Sequence, residues 1–438
     1  MKILLANTPK RWRVVYLLFL FIFLITIPVA AWQLPVYAAR MPLLLLLFAG
    51  DFWIALSIFR CRDKFQSRVL TLLHVLNLLP SALLLIPMLS LAFGSPLEWN
   101  SMLRNHWMGI AIILLIAKYL AFLLMKAYLV FVKDITGKRC KMHLFAGGIL
   151  AAVFLGIMAN AMVVSERRIN VVEVPLNLEQ LYTTQSGYRI VHVSDLHLGR
   201  WLSKEALTSF IHKINKLQPD MIALTGDLVH YATAEALPLE PLLAQLQAPD
   251  GVFTVLGNHD YGTYLRWPSP EAKAENMNEM KLFFERLGWT LLNNSSKTIH
   301  TPNGAIRVAG TAHWCPRKKF RYWLDLESTF ADVSAFNVTV LLTHSPQLWS
   351  KQLLPSAHHA HLTLAGHTHG LQLGFRLFGA EISPAALIFE QWAGLYYHTT
   401  QAKGKSYLYV NRGVGNVLIP FRIGMDPEIT LIVLNRIE

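Results

Sequence analysis

The sequence predicts two structures in series: a bundle of about five transmembrane α-helices over residues 1–164, and an α/β domain with mixed sheets and outer helices over residues 188–438. Three observations lead there. Hydrophobic residues make up 53% of the 438 positions and charged ones only 15%, a balance foreign to soluble proteins. The apolar residues of the first 164 positions gather in five runs, each near the roughly 20 residues a helix needs to cross hydrocarbon. From Arg189 the pattern changes to short β-rich runs alternating with amphipathic helices, then to strands joined by short loops.

The five runs are Val14–Trp32, Leu43–Phe59, Val69–Phe93, Trp107–Val132 and Leu144–Val164. The first follows Lys10, Arg11 and Arg13 as a signal peptide would. Its apolar run is long, however, and "AAWQLPVYAAR" leads at once into another span, so it reads as uncleaved. Basic residues alternate between the connections: Lys2, Lys10, Arg11 and Arg13 precede the first span, and Arg40 alone follows it. Arg60, Arg62, Lys64 and Arg68 come after the second, Arg104 after the third, and Lys133, Lys138, Arg139 and Lys141 after the fourth. The positive-inside rule then places the N-terminus in the cytoplasm and, after five crossings, everything beyond Val164 outside it. Arg167 and Arg168 run against this trend. Within the spans Asp51, Lys118 and Lys126 are ionisable groups; Asp51 and Lys118 both fall near mid-span, where they either pair between the second and fourth helices or, like Lys126, only stabilise the bundle, snorkel or mark span ends. Pro80 and Pro87 are expected to kink the third helix.

Residues 1–164 carry 16 Lys/Arg against 4 Asp/Glu, the rest 24 against 23, so of the formal charge of +13 the apolar part holds +12 and the remainder +1. The C-terminal part has no basic face for nucleic acid. Cys61, Cys140 and Cys315 show neither metal-ligand spacing nor a disulfide framework and read as free thiols.

The linker at 165–187 has no Gly/Ser run, and its "INVVEVPLNL" reads as an edge strand that keeps the following domain close to the membrane surface. "YRIVHVSD" is a buried strand. Ser203 can cap a helix that lines up Leu207, Phe210, Ile211, Ile214 and Leu217 on one face. "DMIALTGD", a helix over Ala234–Leu246, "GVFTVLGN" and a helix over Glu275–Leu287 continue the alternation. "WTLLNN", "KTIHT" and "IRVAGTA" begin a second sheet, which "VTVLLTHSP", "LTLAGHTHG", "SYLYVNRG" and "EITLIVLN" complete.

Five of these strands end in potential metal ligands: Asp195 and His197, Asp227 in "TGDLVH", Asn258 and His259 in "LGNHDYG", His344 in "LLTHSP", and His367 with His369 in "LAGHTHG". Sites on open α/β sheets form beyond the carboxyl ends of the strands, so these loops should converge. Asp195 and His197 stand two positions apart, and on an extended segment such residues point the same way. Gly226, Gly257 and Gly366 each precede a ligand and read as tight turns. Oxygen and nitrogen donors without thiolate suit Mn²⁺, Fe or Zn²⁺. The donors are too many for one tetrahedral ion; two ions bridged by a carboxylate fit better.

The ordered motifs D-x-H, G-D, G-N-H-D, H and G-H-x-H, spread over about Val171 to Glu438, resemble the calcineurin-like metallophosphoesterase superfamily, and within it the membrane-attached bacterial branch. The resemblance implies a two-sheet β-sandwich flanked by helices, with two divalent metal ions, Mn²⁺ favoured, at its rim. Carried over motif by motif, Asp195, His197 and His369 would bind the first metal, Asn258, His344 and His367 the second, and Asp227 would bridge them. His259 would donate to the leaving oxygen, and Asp260 would orient His259 through a hydrogen bond. The implied reaction is metal-dependent hydrolysis of a phosphoric ester by a hydroxide lying between the cations, with no phosphoenzyme. The resemblance implies a bacterial inner (plasma) membrane, and the alternation of basic residues puts the catalytic domain on its periplasmic or extracellular side.

Two positions depart from the branch's usual pattern: Leu371 stands where a second glycine is expected, and His230 where a carboxylate or Asn is commoner. Both bear on substrate rather than on metal. The bilayer anchor, Leu371 and the basic-aromatic "RKKFRYW" from Arg317 to Trp323 point to a phosphorylated substrate that is lipid-linked or amphiphilic, though that run also reads as a solvated charge cluster. Arg200 follows the first motif within reach of a phosphate. The run His358, His359, His361 reads as a solvated loop, and His313 and Cys315 in "AHWCP" as plain loop or core residues. Other readings of the same site are a broad-specificity phosphodiesterase, a protein phosphatase and, in a different class, a membrane sensor of a phosphate ligand.

Overall fold

The computed structural model describes residues 10–33, 50–58, 67–93, 101–131, 152–161, 168–182, 185–200, 204–301, 304–316, 323–331, 338–378, 380–400, 404–417 and 420–437. The chain divides into two compact units, one mainly residues 1–160 and the other mainly residues 161–438.

In the first unit the described helices are α1 (Lys10–Gln33), α2 (50–58), α3 (Ser67–Phe93), α4 (Ser101–Phe131) and α5 (152–161). Each lies in or overlaps one of the five apolar runs. Two of them hold a stretch long and apolar enough to cross a membrane, Val14–Trp32 and Ser67–Leu89; Trp107–Leu123 and Ala152–Ala161 are shorter apolar stretches. The expectation of five spans is thus met for two helices. The connections with Arg40, Arg60, Arg62, Lys64, Lys133, Lys138, Arg139 and Lys141, the side chains of Arg104 and Lys126, and Cys61 and Cys140 lie outside the described residues.

Buried polar groups inside this unit find one another, as burial without a partner would be costly. Asp51 is fully buried and accepts from Lys118 Nζ, Ser81 Oγ and Tyr119 Oη, the last at 2.6 Å. Lys118 also donates to the Asn77 carbonyl (3.0 Å), while Asn77 Nδ2 reaches Tyr16 Oη at 2.9 Å and the Asp51 carbonyl at 3.0 Å. The pair expected from the sequence therefore joins α2 and α4, and residues of α1 and α3 complete its shell.

The second unit is built on two six-stranded sheets. The first runs β1 (Asn170–Leu178), β14 (Glu428–Arg436), β2 (Tyr188–Val193), β3 (Met221–Thr225), β4 (Val252–Val255), β5 (Thr290–Leu291). β2 to β5 are parallel, and β14 enters antiparallel to β2. The second runs β12 (Gly394–Thr400), β13 (Gly404–Val410), β9 (Leu362–Ala365), β8 (Val338–Leu342), β7 (Gly304–Gly310), β6 (Ser295–Thr301). A separate ribbon pairs β10 (Phe375–Leu377) with β11 (Ala380–Ile382). β1 lies at a sheet edge, so the chain is part of this domain from Asn170 onward.

The period-two alternation of the strands decides the layering. Ile190, Met221, Ala223 and Phe253 face inward with Ile306, Val308, Val340 and Leu364 of the other sheet, forming one apolar layer between the two. Their neighbours Val191, Val193, Ile222 and Leu224 face outward, against α6 (Lys204–Lys216) and, past the short helix α7 (Glu240–Leu243), α8 (Pro270–Arg286). Of the α6 stripe, Leu207, Phe210, Ile211 and Ile214 are buried; its expected cap, Ser203, lies outside the described residues. α8 is capped by Ser269, whose Oγ accepts from Ala272 N at 3.2 Å. The single helix expected over Ala234–Leu246 is instead two 3₁₀ turns followed by α7. Pro238 and Pro241 lack the N–H that a continuous helix would need there.

Candidate metal centre

The loops after β2, β3, β4, β8 and β9 meet at one end of the sandwich, and the backbone ties them before any side chain acts. Asp195 N donates to the Gly226 carbonyl and His197 N to that of Asp227, both at 3.0 Å, while Gly366 N donates to the His344 carbonyl at 3.0 Å. Asp195 Oδ2 accepts from His367 N at 2.9 Å.

The geometry that brings Asp195 and His197 together differs from the expected extended segment. β2 ends at Val193, and both residues are left-handed, with φ of 55° and 45°. The glycines also act differently from expectation. Gly226 does turn with φ of +86°, but Gly257 and Gly366 are required for close approach. A Cβ on Gly257 would lie 2.1 Å from Asp227 Oδ1, and one on Gly366 1.9 Å from Ser194 Oγ and 2.3 Å from Asp195 Oδ2.

Two donor groups contain a carboxylate, Asp195 with His197 and His369, and Asp227 with His344 and His367; a third joins His197 to His230 and His259. In each, the candidate ligand atoms lie within 4.8 Å of one another. Asp227 stands between the first two: its Oδ2 is 3.2 Å from His344 Nε2 and 3.7 Å from His197 Nε2, and its Oδ1 accepts from His259 N at 2.8 Å. Asn258 joins the second group, with Oδ1 3.1 Å from His344 Nε2. All seven predicted ligands are thus brought together.

The donor set suits cations. His197 Nε2 faces His369 Nε2 at 3.3 Å, and His344 Nε2 faces His367 Nδ1 at 3.1 Å, so nitrogen lone pairs converge. Asp195 Oδ1 is buried without a well-aligned hydrogen bond, although His369 Nε2 lies 3.1 Å away. Burial would raise Asp195 and Asp227. It is overcome for Asp195 by His369 and for Asp227 by His344 and His259, leaving two buried negative charges. Burial would lower His344, but the Asp227 charge lifts it to about 9, whereas burial and the neighbouring His344 push His367 down to about 3. Burial and then His259 hold His197 well below its ordinary value. His197 and His367 are thus held neutral, as a metal ligand must be, while the proton on His344 beside Asp227 is one that a divalent ion would displace.

Outer contacts orient the rings. His344 Nδ1 lies 2.7 Å from the Thr225 carbonyl and Arg422 Nη2 3.0 Å from His369 Nδ1. His230 Nδ1 sits 3.1 Å from His197 Nδ1, and its carbonyl lies 2.6 Å from His259 Nδ1. Asp260 corrects the expectation placed on it: both oxygens accept backbone N–H groups, Oδ2 from Asp227 and Gly257 at 2.8 Å and Oδ1 from Val229 at 3.1 Å. It holds the ligand-bearing loops, and the His230 carbonyl takes the place expected of it beside the His259 ring.

His230 and His313 were the residues sequence reasoning undervalued. His313 is buried, its ring 5.3 Å from that of His344 and 5.8 Å from that of His367. It follows β7, so the strand-end rule that found the other ligands applied to it as well. Neither "HHAH" nor Cys315 joins the site: His358 stacks on Phe330 and pairs with Glu327 at 3.1 Å, His361 Nδ1 accepts from Thr339 N at 3.0 Å, and Cys315 is buried. The run is therefore structural rather than a solvated loop. The Arg200 side chain and residues 317–322 lie outside the described residues.

A family model described as calcineurin-like phosphoesterase matches residues 188–371, which include every candidate site residue. The uncharacterized metallophosphoesterase YkuE of Bacillus subtilis (strain 168) is 30% identical over 253 residues, 57% of this chain and 79% of that protein. A transmembrane protein with metallophosphoesterase domain from Danio rerio is 27% identical over 351 residues, 77% of this chain and 74% of its own, a match longer than the stretch 188–438. An uncharacterized metallophosphoesterase of Helicobacter pylori (strain ATCC 700392 / 26695) is 26% identical over 263 residues, 59% of this chain and 61% of its own. The chain therefore belongs to the calcineurin-like phosphoesterase family, and with it to the metal-dependent phosphoester hydrolases.

Proposed function

We propose that this chain is a membrane-bound phosphoesterase or pyrophosphatase with a dinuclear metal centre, acting on a lipid-linked or amphiphilic phosphate. The observation that carries the reading is the position of Asp227 Oδ2 between two His/Asp donor groups. Asp195, His197 and His369 would hold one ion, Asn258, His344 and His367 the other, and Asp227 would be shared by both. Mn²⁺ is the favoured metal, with Fe and Zn²⁺ as alternatives suited to the same donors. When bound, two such cations polarise the phosphoryl oxygens and acidify water, the chemistry that phosphoester hydrolysis needs.

His259 handles the proton. A carbonyl can only accept, so the His230 contact at 2.6 Å places a hydrogen on His259 Nδ1 and leaves Nε2 to carry the proton given to the leaving oxygen. Asp260 keeps the Asp227 and Gly257 backbone in place while this happens.

The membrane unit crosses the bilayer five times with the N-terminus in the cytoplasm, so the site works on the periplasmic or extracellular side. A reporter active only outside the cytoplasm, fused after Glu438, reads this directly; a silent reporter, with a cytoplasmic one active, sinks the topology. For the reaction, the detergent-purified chain with Mn²⁺ is offered an aryl monoester, an aryl diester and extracted lipid phosphates. His259→Ala is expected to lose turnover and keep its metal; full turnover in that variant would refute the role.

A further inference from the structure

Residues 371–388, which begin two positions past His369, leave an apolar surface that the domain does not use. Among the described residues β10 and β11 pair only with each other, and apolar residues alternate along "LQLGFRL". Leu373, Phe375 and Leu377 are exposed, Phe378 is completely so at the turn, and just beyond it Leu387 and Ile388 are 89% and 61% exposed. Among the described residues the face with Phe375, Leu377 and Ile382 is exposed, while the opposite face is tied to the domain through Glu381 and Arg412. An isolated two-stranded ribbon with apolar side chains in water is marginal by itself. Phe378 also adopts φ of 48°, where a turn would ordinarily take glycine or asparagine, so its bulk answers no need of the turn itself.

The ribbon is nonetheless firmly mounted. Gly374 N donates to the Ile423 carbonyl at 2.8 Å and Ile423 N to that of Gln372 at 2.9 Å. Arg376 pairs with Glu381 across the strands at 3.0 Å, Glu381 pairs with Arg412, and Arg412 with Glu428 of β14. At its far end Ser383 Oγ donates to the Gly370 carbonyl at 2.7 Å, and the Phe389 ring lies 5.9 Å from that of His367. A rigid apolar wedge therefore adjoins the loop that carries His367 and His369.

We propose that this ribbon, with Leu387 and Ile388, inserts into the interfacial layer of a lipid bilayer and sets the metal centre at the level of the headgroup phosphates. A bilayer is the occupant the chain itself argues for. It carries helices apolar enough to cross one, ahead of the domain that bears the ribbon. Exposed Phe and Leu with a flanking Arg376 also match the aromatic, apolar and cationic make-up of interfacial segments. The consequence for substrate rests on the amphiphilic-phosphate reading above; the insertion does not.

The full-length protein in native membranes, with Phe378→p-benzoylphenylalanine, is irradiated and its adducts identified by mass. Phospholipid adducts are expected at 378 and absent from the same probe at Lys281, exposed on α8. Covalent dimers in place of lipid adducts, or no lipid adduct, overturn the proposal. In a second arm Phe378→Asp with Leu387→Asp is expected to lower hydrolysis of a phospholipid phosphoester in vesicles at least tenfold and leave a soluble aryl phosphoester unchanged. Equal loss on both substrates, or no loss on either, counts against it. Should the unaltered chain hydrolyse neither substrate, the proposed activity fails while the crosslink still decides the insertion. Should the double variant not fold, the single substitution at the fully exposed position still does so.

Discussion

Asp260 offers the sharpest separation between what its sequence neighbourhood implies and what its contacts do. Beside His259 it invites the role of orienting partner, yet its fully buried carboxylate takes three backbone amides, those of Asp227, Gly257 and Val229. In Asp260→Ala all three lose their acceptor. At about 1–3 kcal/mol for each buried unsatisfied N–H, less what rearrangement recovers, the loss should be about 4 kcal/mol. Asp260→Asn keeps one oxygen for two amides and turns its NH₂ toward the third, a donor facing a donor, for a loss of about 2 kcal/mol. For a domain of this size each kcal/mol moves the midpoint by about 2–4 °C, so the two variants should melt about 8–16 °C and 4–8 °C lower. The first thermal transition of the detergent-purified chain, read in the presence of a chelator so that metal loss does not contribute, measures this. If Asp260→Asn keeps the parent midpoint and loses turnover alone, Asp260 acts through His259 and the backbone account is wrong.

Gly257→Ala and Gly366→Ala each drive a Cβ into a donor group, at 2.1 Å from Asp227 Oδ1 and 2.3 Å from Asp195 Oδ2, and should lower bound metal by at least half with the sheets intact; metal content and circular dichroism check this. His361 is lowered from 6.5 to about 4 by burial, then by His359 and Arg307, so it stays neutral in the fold. Its contribution is fully present above pH 6.5 and is lost as pH falls toward 4, about 3 kcal/mol in all. His361→Asn, which keeps an acceptor for Thr339 N, should flatten that part of the chelated protein's stability curve against pH. In the membrane unit, Asp51→Asn leaves Lys118 without its counter-charge and should cost about 3–5 kcal/mol. Asp51→Asn with Lys118→Met should recover part of the loss in a protease-resistance assay in membranes, and a double variant weaker than the single one would refute the pairing.

The seven candidate ligands were readable because position carries their meaning: they follow β2, β3, β4, β8 and β9, and a mostly parallel sheet brings such ends to one side. The individual strands followed from period-two alternation and the sandwich from the resemblance of the motifs, but "WTLLNN" and "EITLIVLN", read into the second sheet, pair in the first as β5 and β14. The Asp51–Lys118 pair followed from the cost of burying either charge alone. What escaped has physical reasons too. Asp260 bonds to main-chain amides, which are alike at every residue and leave no trace in the sequence. His230 and His361 gain their roles from partners 33 and 22 residues away. Pro238 and Pro241 forbid a continuous helix over Ala234–Leu246, a signal that apolar periodicity alone does not carry.

Backbone conformation at the centre was the least readable feature, and it explains how the loops achieve convergence. Asp195, His197, Asp227, His367 and His369 all take positive φ, between 45° and 73°, where glycine or asparagine would sit more easily. Residues held in such conformations cost about 1–3 kcal/mol each and persist only where surrounding structure over-determines them. Here the restraint is visible: Asp195, His197 and His367 are pinned through their own amides, to Gly226, Asp227 and the Asp195 carboxylate, and Asp260 holds the amide of Asp227. A side chain that must be a carboxylate or an imidazole has displaced the residue the backbone would prefer. The conflict falls at five of the seven residues assigned to the metals. Local sequence preference yields where chemistry requires a particular atom at a particular point, and the hydrogen bonds and two apolar layers around the site supply the stability that this requires.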